Sequence, residues 1–153
     1  MIPLQTYHLL FIRRSDFMYI DPETSKPYLP SPAYFLCCFD VYDREETLGD
    51  ELEQYNPNIA VDREVLILKY CMPMKRSYRQ KFLLVECLKF ALQDERYDFK
   101  SLFQYDSEAY SSFPDGWDEM VDSRIFFQDI YRIAMVEWGA ELKKASLEDQ
   151  TTW

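Results

Sequence analysis

The side chains able to do chemistry in this 153-residue sequence are one histidine, His8, four cysteines and 27 carboxylates. Any serine or cysteine nucleophile would need His8 as its base, because the chain has no other imidazole. No GxSxG surrounds a serine, and Cys37, Cys38, Cys71 and Cys87 stand in no local signature of a catalytic thiol. Adjacent Cys37 and Cys38 lack the spacing of a zinc-binding pair, and buried free thiols are the simpler reading of all four cysteines. Asp115, Asp118 and Asp122 are close enough in sequence to share a hard cation, but the DxDxDG pattern of a calcium loop is missing. Two carboxylates could serve as acid and base, yet their abundance singles out no pair. Phosphate-cradling loops need clustered glycines, whereas Gly49, Gly116 and Gly139 are scattered. The sequence therefore predicts no catalytic residue, no metal site and no cofactor, which is the profile of a binding protein.

The feature left over is a mixture of acids and aromatics. Between Asp94 and Asp122 lie nine acids against only Arg96 and Lys100, interleaved with Tyr97, Phe99, Phe103, Tyr105, Tyr110, Phe113 and Trp117. Tyrosine and tryptophan are the types that most often anchor protein interfaces. Phe99 and Phe103, four apart, are expected to face the core. The candidate partner-binding residues are then Tyr105, Asp106, Glu108, Tyr110, Phe113, Asp115, Trp117, Asp118 and Glu119. A secondary acidic patch falls at Asp43, Glu45, Glu46, Asp50 and Glu51, where Arg44 is the sole nearby cation. A solvated helix end or loop would account for that patch equally well.

These groups need a scaffold. Hydrophobic residues at 48% and aromatics at 17% predict a globular chain, and its length suits one domain. Residues 6 to 20 alternate with both faces apolar (Tyr7, Leu9, Phe11; His8, Leu10, Ile12), which suits a buried strand better than a surface helix, with a short helix as the alternative. The proline-rich run from Asp21 to Pro32 reads as a connection, with a hairpin-like return through Lys26 to Leu29. Ser31-Pro32 looks like N-cap and N1 of a helix to about Arg44 that buries Phe35, Leu36, Cys38, Phe39 and Tyr42. Residues 62 to 72 fit a short helix or a buried strand. Ser77-x-x-Gln80 is a capping box opening a core helix from about Tyr78 to Gln93, and its basic neighbourhood is expected to pair internally with acids. Phe113-Pro114-Asp115-Gly116 reads as a turn. From Trp117 to Ala145 runs the longest helical period, with Gly139 as a weak point or an earlier end. The fold expected is mainly α, in a single domain, with possible short strands near the N-terminus; α+β is the alternative.

The 27 acids and 17 bases give a net charge of −10. That charge opposes contact with nucleic-acid phosphates or an anionic membrane, and its complement is a basic protein partner, although solubility alone accounts for the acidity equally well. No basic region followed by a long apolar core opens the chain and no run approaches a membrane span, so a cytoplasmic protein is expected.

Small size, acidity and aromatic density together resemble the immunity proteins of bacterial toxin systems, including those of contact-dependent inhibition and the nuclease colicins. The colicin group presents acids around paired tyrosines before a proline, and Glu108, Tyr110, Phe113, Pro114 and Asp115 echo that arrangement, in a considerably longer chain. The resemblance implies an inhibitor that occludes a basic toxin or nuclease domain. Two further readings stay open: a nucleic-acid mimic from a phage or mobile element, with carboxylates along an extended face, and a small enzyme of unrecognised type.

Overall fold

A computed structural model describes residues 19–106 and 108–153. Most of the strand expected at residues 6 to 20 lies outside them, as does His8. Within them the chain is mainly helical, with one short hairpin. Strands β1 (Ile20–Asp21) and β2 (Lys26–Pro27) pair antiparallel, Ile20 with Pro27 and Asp21 with Lys26. The hairpin-like return through Lys26 is therefore present. Its tip places Ser25 at φ 57°, in the left-handed region.

The helix expected from Pro32 to Arg44 is shorter and tighter: a 3-10 helix, Pro32–Phe39, with Pro32 in its first turn. Asp40 ends it. Its Oδ1 accepts the backbone N–H of Tyr42 at 3.0 Å and that of Ser112 at 3.1 Å, giving the backbone an alternative to further helical bonds. Phe35, Leu36 and Phe39 are buried as expected. A π-helical turn, Glu45–Gly49, and a single α-turn, Asp50–Leu52, follow.

The ambiguous stretch at 62–72 is helical. Helix α1 (Ala60–Leu66) continues as a π-helix, Ile67–Cys71, and buries Leu66, Ile67 and Cys71. Helical spacing suits these three because they share one face, while Val65 and Leu68 stay partly exposed. Helix α2 (Tyr78–Gln93) begins at the capping box: Ser77 Oγ accepts the Gln80 N–H at 3.1 Å and Gln80 Oε1 accepts the Ser77 N–H at 2.9 Å. The long period after Trp117 divides into three. A 3-10 turn, Trp117–Glu119, precedes helix α3 (Ser123–Glu137), capped by Asp122; helix α4 (Gly139–Ser146) follows. Trp138 separates α3 from α4 at φ −101°, ψ 10°, and its ring stacks on Phe35 at 6.0 Å.

The core lies between α1, α2, α3 and the Pro32–Phe39 helix, and it is unusually aromatic. Phe126 packs against Phe39 at 5.8 Å and Phe103 at 5.7 Å, while Phe99 packs against Phe127 at 4.7 Å. Each such edge-on or tilted pair adds roughly 0.5–1.5 kcal/mol beyond the burial of its area. Several cations around α2 pair internally: Lys69 with Glu51 at 3.2 Å, Arg79 with Glu148 at 3.1 Å and Lys81 with Glu141 at 2.9 Å. Among the described residues, no helix is long and apolar enough to cross a membrane.

Candidate acid-rimmed cleft

Two acidic stretches far apart in sequence meet at Asp40 and Val41. The Val41 N–H donates to Ser112 O at 2.9 Å, and Ser112 N–H donates back to the Asp40 carboxylate. This pair of bonds lays residues 112–118 alongside the 41–53 segment. Between them opens a cleft of about 430 Å³. Val41, Phe103, Phe113 and Pro114 form apolar walls, and Glu45, Glu53, Asp115 and Asp118 supply carboxylates. Phe113 is held by an edge-on contact with Phe103 at 5.9 Å. Gly116, at φ 86°, turns the chain so that Trp117 N–H reaches Pro114 O at 3.2 Å, which is the turn expected at Phe113–Gly116.

Beside the cleft, Asp106 and Ser111 form an isolated antiparallel bridge. Asp106 and Ser111 exchange backbone hydrogen bonds at 3.2 and 3.1 Å, and Asp106 Oδ1 accepts the N–H groups of Glu108 at 3.0 Å and Ala109 at 3.2 Å. An aspartate in this role mimics a backbone turn, which is why the loop closes there. Tyr110 sits at φ 50°, a region costly for a residue with a Cβ, and its ring meets Tyr42 edge-on at 5.6 Å. Even so, Tyr110 is 68% exposed and Tyr105 66% exposed. Two large apolar bodies thus stand in solvent on a loop pinned at both ends.

Trp117 does not belong with them. It is only 2% exposed, packed against Phe39 at 5.1 Å and Phe126 at 5.8 Å, so it is a core residue and not a partner contact. Its alternation with acids mimicked an exposed position, but the turn at Gly116 rotates the ring inward. Of the other expected residues, Glu45, Tyr105, Phe113, Asp115 and Asp118 line the cleft. Asp106, Glu108, Tyr110, Glu119, Asp43, Glu46, Asp50 and Glu51 are exposed outside its lining. Val41, Glu53 and Ser112 were missed as site residues. Only the fold brings them in, although Glu53 stood in the charge excess of its segment.

The carboxylates are largely uncompensated. Among the described residues, Glu51 is the one member of either expected patch in an ion pair, with Lys69. A hydrogen bond from Tyr70, helped by Lys69, holds its carboxyl below the usual glutamate range. Arg44 forms no ion pair among the described residues; its guanidinium donates to the backbone oxygen of Asp40. No cluster of histidine, cysteine and carboxylate side chains among the described residues is arranged to hold a metal ion.

No family model, curated protein or solved structure matches this chain. The cleft must therefore be read from its own chemistry: apolar walls, a rim of unpaired carboxylates and two exposed tyrosines alongside. Carboxylates attract cationic groups through charge, and exposed rings offer them a face to pack against.

Proposed function

We propose that this chain is an immunity-type inhibitor that binds a basic cognate toxin, expected to be a nuclease, and occludes its substrate-binding surface. One observation carries the reading. Carboxylates more than sixty residues apart in sequence converge on a single cleft, and they have almost no cations of their own. A surface that binds phosphates is basic, so the same charge that excludes nucleic acid from this protein attracts the toxin. Long-range attraction raises the association rate, and desolvated tyrosines at the contact slow dissociation. The exposure of Tyr105 and Tyr110 supports the reading of these two rings as those anchors.

The test is calorimetric titration with a toxic domain encoded beside this chain, at low and at moderate salt. Tight binding is expected, weakening as salt screens the charges, and at least tenfold weaker for the variant E45Q/E53Q/D115N/D118N. Absence of binding, or equal affinity for the variant, overturns the reading.

A further inference from the structure

The end of the Pro32–Phe39 helix brings two thiols to one carbonyl. Cys38 Sγ donates to Phe35 O at 3.4 Å, and Cys71 Sγ donates to the same oxygen at 3.3 Å. Both sulfurs therefore lie within hydrogen-bonding reach of one oxygen atom. Their neighbours in sequence meet as well, since the rings of Phe39 and Tyr70 lie 6.2 Å apart. The Pro32–Phe39 helix and the Ile67–Cys71 turn therefore pack together here, with both thiols gathered at one carbonyl. As hydrogen bonds these contacts contribute little, because S–H is a weak donor and one carbonyl oxygen serves both.

We propose that Cys38 and Cys71 form a redox pair that a hydroperoxide closes to an intrachain disulfide. Cys38 is partly exposed and meets the oxidant, whereas Cys71 is fully buried and resolves it. The Cys38 thiolate attacks the O–O bond and takes one oxygen as a sulfenic acid; with hydrogen peroxide, the other oxygen leaves as water. The Cys71 sulfur then attacks the Cys38 sulfur. An S–S bond forms, the S–O bond breaks, and its oxygen departs as water with the Cys71 proton. In sum the two thiols lose two hydrogens and two electrons, and the peroxide is reduced to two waters.

Burial, reinforced by the adjacent Cys71, raises the pKa of the Cys38 thiol, so thiolate is scarce near neutrality and the pair stays reduced under mild oxidant. Once closed, the bond would tie the Pro32–Phe39 helix to the Ile67–Cys71 turn. Asp40 and Val41, which hold the cleft loop, follow two and three residues after Cys38, so the disulfide would stiffen one wall of the cleft.

The test is to expose the folded protein to hydrogen peroxide and map its peptides without reduction. Expected are an intact mass lower by two hydrogens, a Cys38–Cys71 cross-linked peptide in the monomer, and a melting temperature higher by about 5–10 °C, all reversed by dithiothreitol. Cys37→Ser should still form the link. Cys38→Ser, with its helical circular dichroism intact, should not. Oxygen added at Cys37 with Cys38 and Cys71 still reduced, a bond through Cys37 or Cys87, or a covalent dimer overturns the proposal. So does an unreacted fold at a peroxide concentration that oxidises the guanidinium-unfolded chain.

Discussion

Replacing Arg124 with methionine should detach the start of the acid-rich stretch from the helical core. At the end of α2 the carbonyls lack intrahelical partners, and the chain turns away through Asp94 and Tyr97. The Arg124 guanidinium gathers these groups: Nη1 donates to Leu92 O at 3.2 Å, and Nη2 donates to Asp94 O at 2.9 Å and Tyr97 O at 3.2 Å. It also lies over the Phe99 ring, 4.8 Å from the centroid. Methionine keeps the apolar stem and removes the donors. Hydrogen bonds to a charged group are worth about 1.5–3 kcal/mol each, but water can reach some of the freed carbonyls. About 1 kcal/mol per bond is the reasonable figure, hence roughly 3 kcal/mol in all. For a chain of this size that corresponds to a fall in melting temperature of about 6–12 °C. Arg124→Lys keeps the charge but cannot span three carbonyls, so it should lose roughly half as much. Urea titration supplies the free energies, and hydrogen exchange should show lost protection first at residues 94–99. A loss below about 1 kcal/mol for the methionine variant, or a lysine variant equal to wild type, would refute the anchoring role.

Three other perturbations separate structure from display. Trp117→Ala should cost about 3–5 kcal/mol as a cavity in the aromatic core, whereas Tyr110→Ala should leave urea stability within about 1 kcal/mol; equal effects would contradict the assignment of one to the core and the other to the surface. Gly116→Ala meets no atom within 4 Å, but its φ of 86° strains a side chain, so calorimetry should show a loss of about 1 kcal/mol and not a gain. The Glu148 carboxyl is held below the ordinary glutamate value by the Tyr78 hydroxyl, then by Arg79 and Trp153. A depressed pKa gives stability that is complete above 4.5, the unfolded value, and lost as pH falls through the lower folded one. Glu148→Gln should therefore flatten the acid limb of a stability-against-pH curve below 4.5, and an unchanged limb would remove this contact from the account.

Local chemistry was readable where a motif settles itself within a few residues. The Ser77–Gln80 box, the turn at Gly116 and the hairpin return at Lys26 depend on side chains and dihedrals that the sequence states directly. The Pro32–Phe39 helix misled because its end is decided by Ser112, a partner more than seventy residues away, which shares Asp40 with Tyr42. Residues 62–72 could not be settled from their pattern, since an apolar run suits a strand or a helix, and only packing against α3 decides; Arg63 fixes it there by bonding Asp129 at 2.8 Å. The candidate site was half legible. Charge and aromatic density marked both acidic stretches, but neither shows which side of a ring faces water. Trp117 and Tyr110 look alike in sequence and differ by a backbone turn in space.

The central claim is that the acid-rimmed cleft neutralises a basic toxin. Co-expression with a candidate basic toxic domain from a neighbouring gene tests it most directly, comparing wild type with the charge-reversed variant E45K/E53K/D115K/D118K, whose folding is checked by circular dichroism. Wild type should restore growth and the folded variant should not. Equal protection by the variant, or none by wild type, would contradict the account.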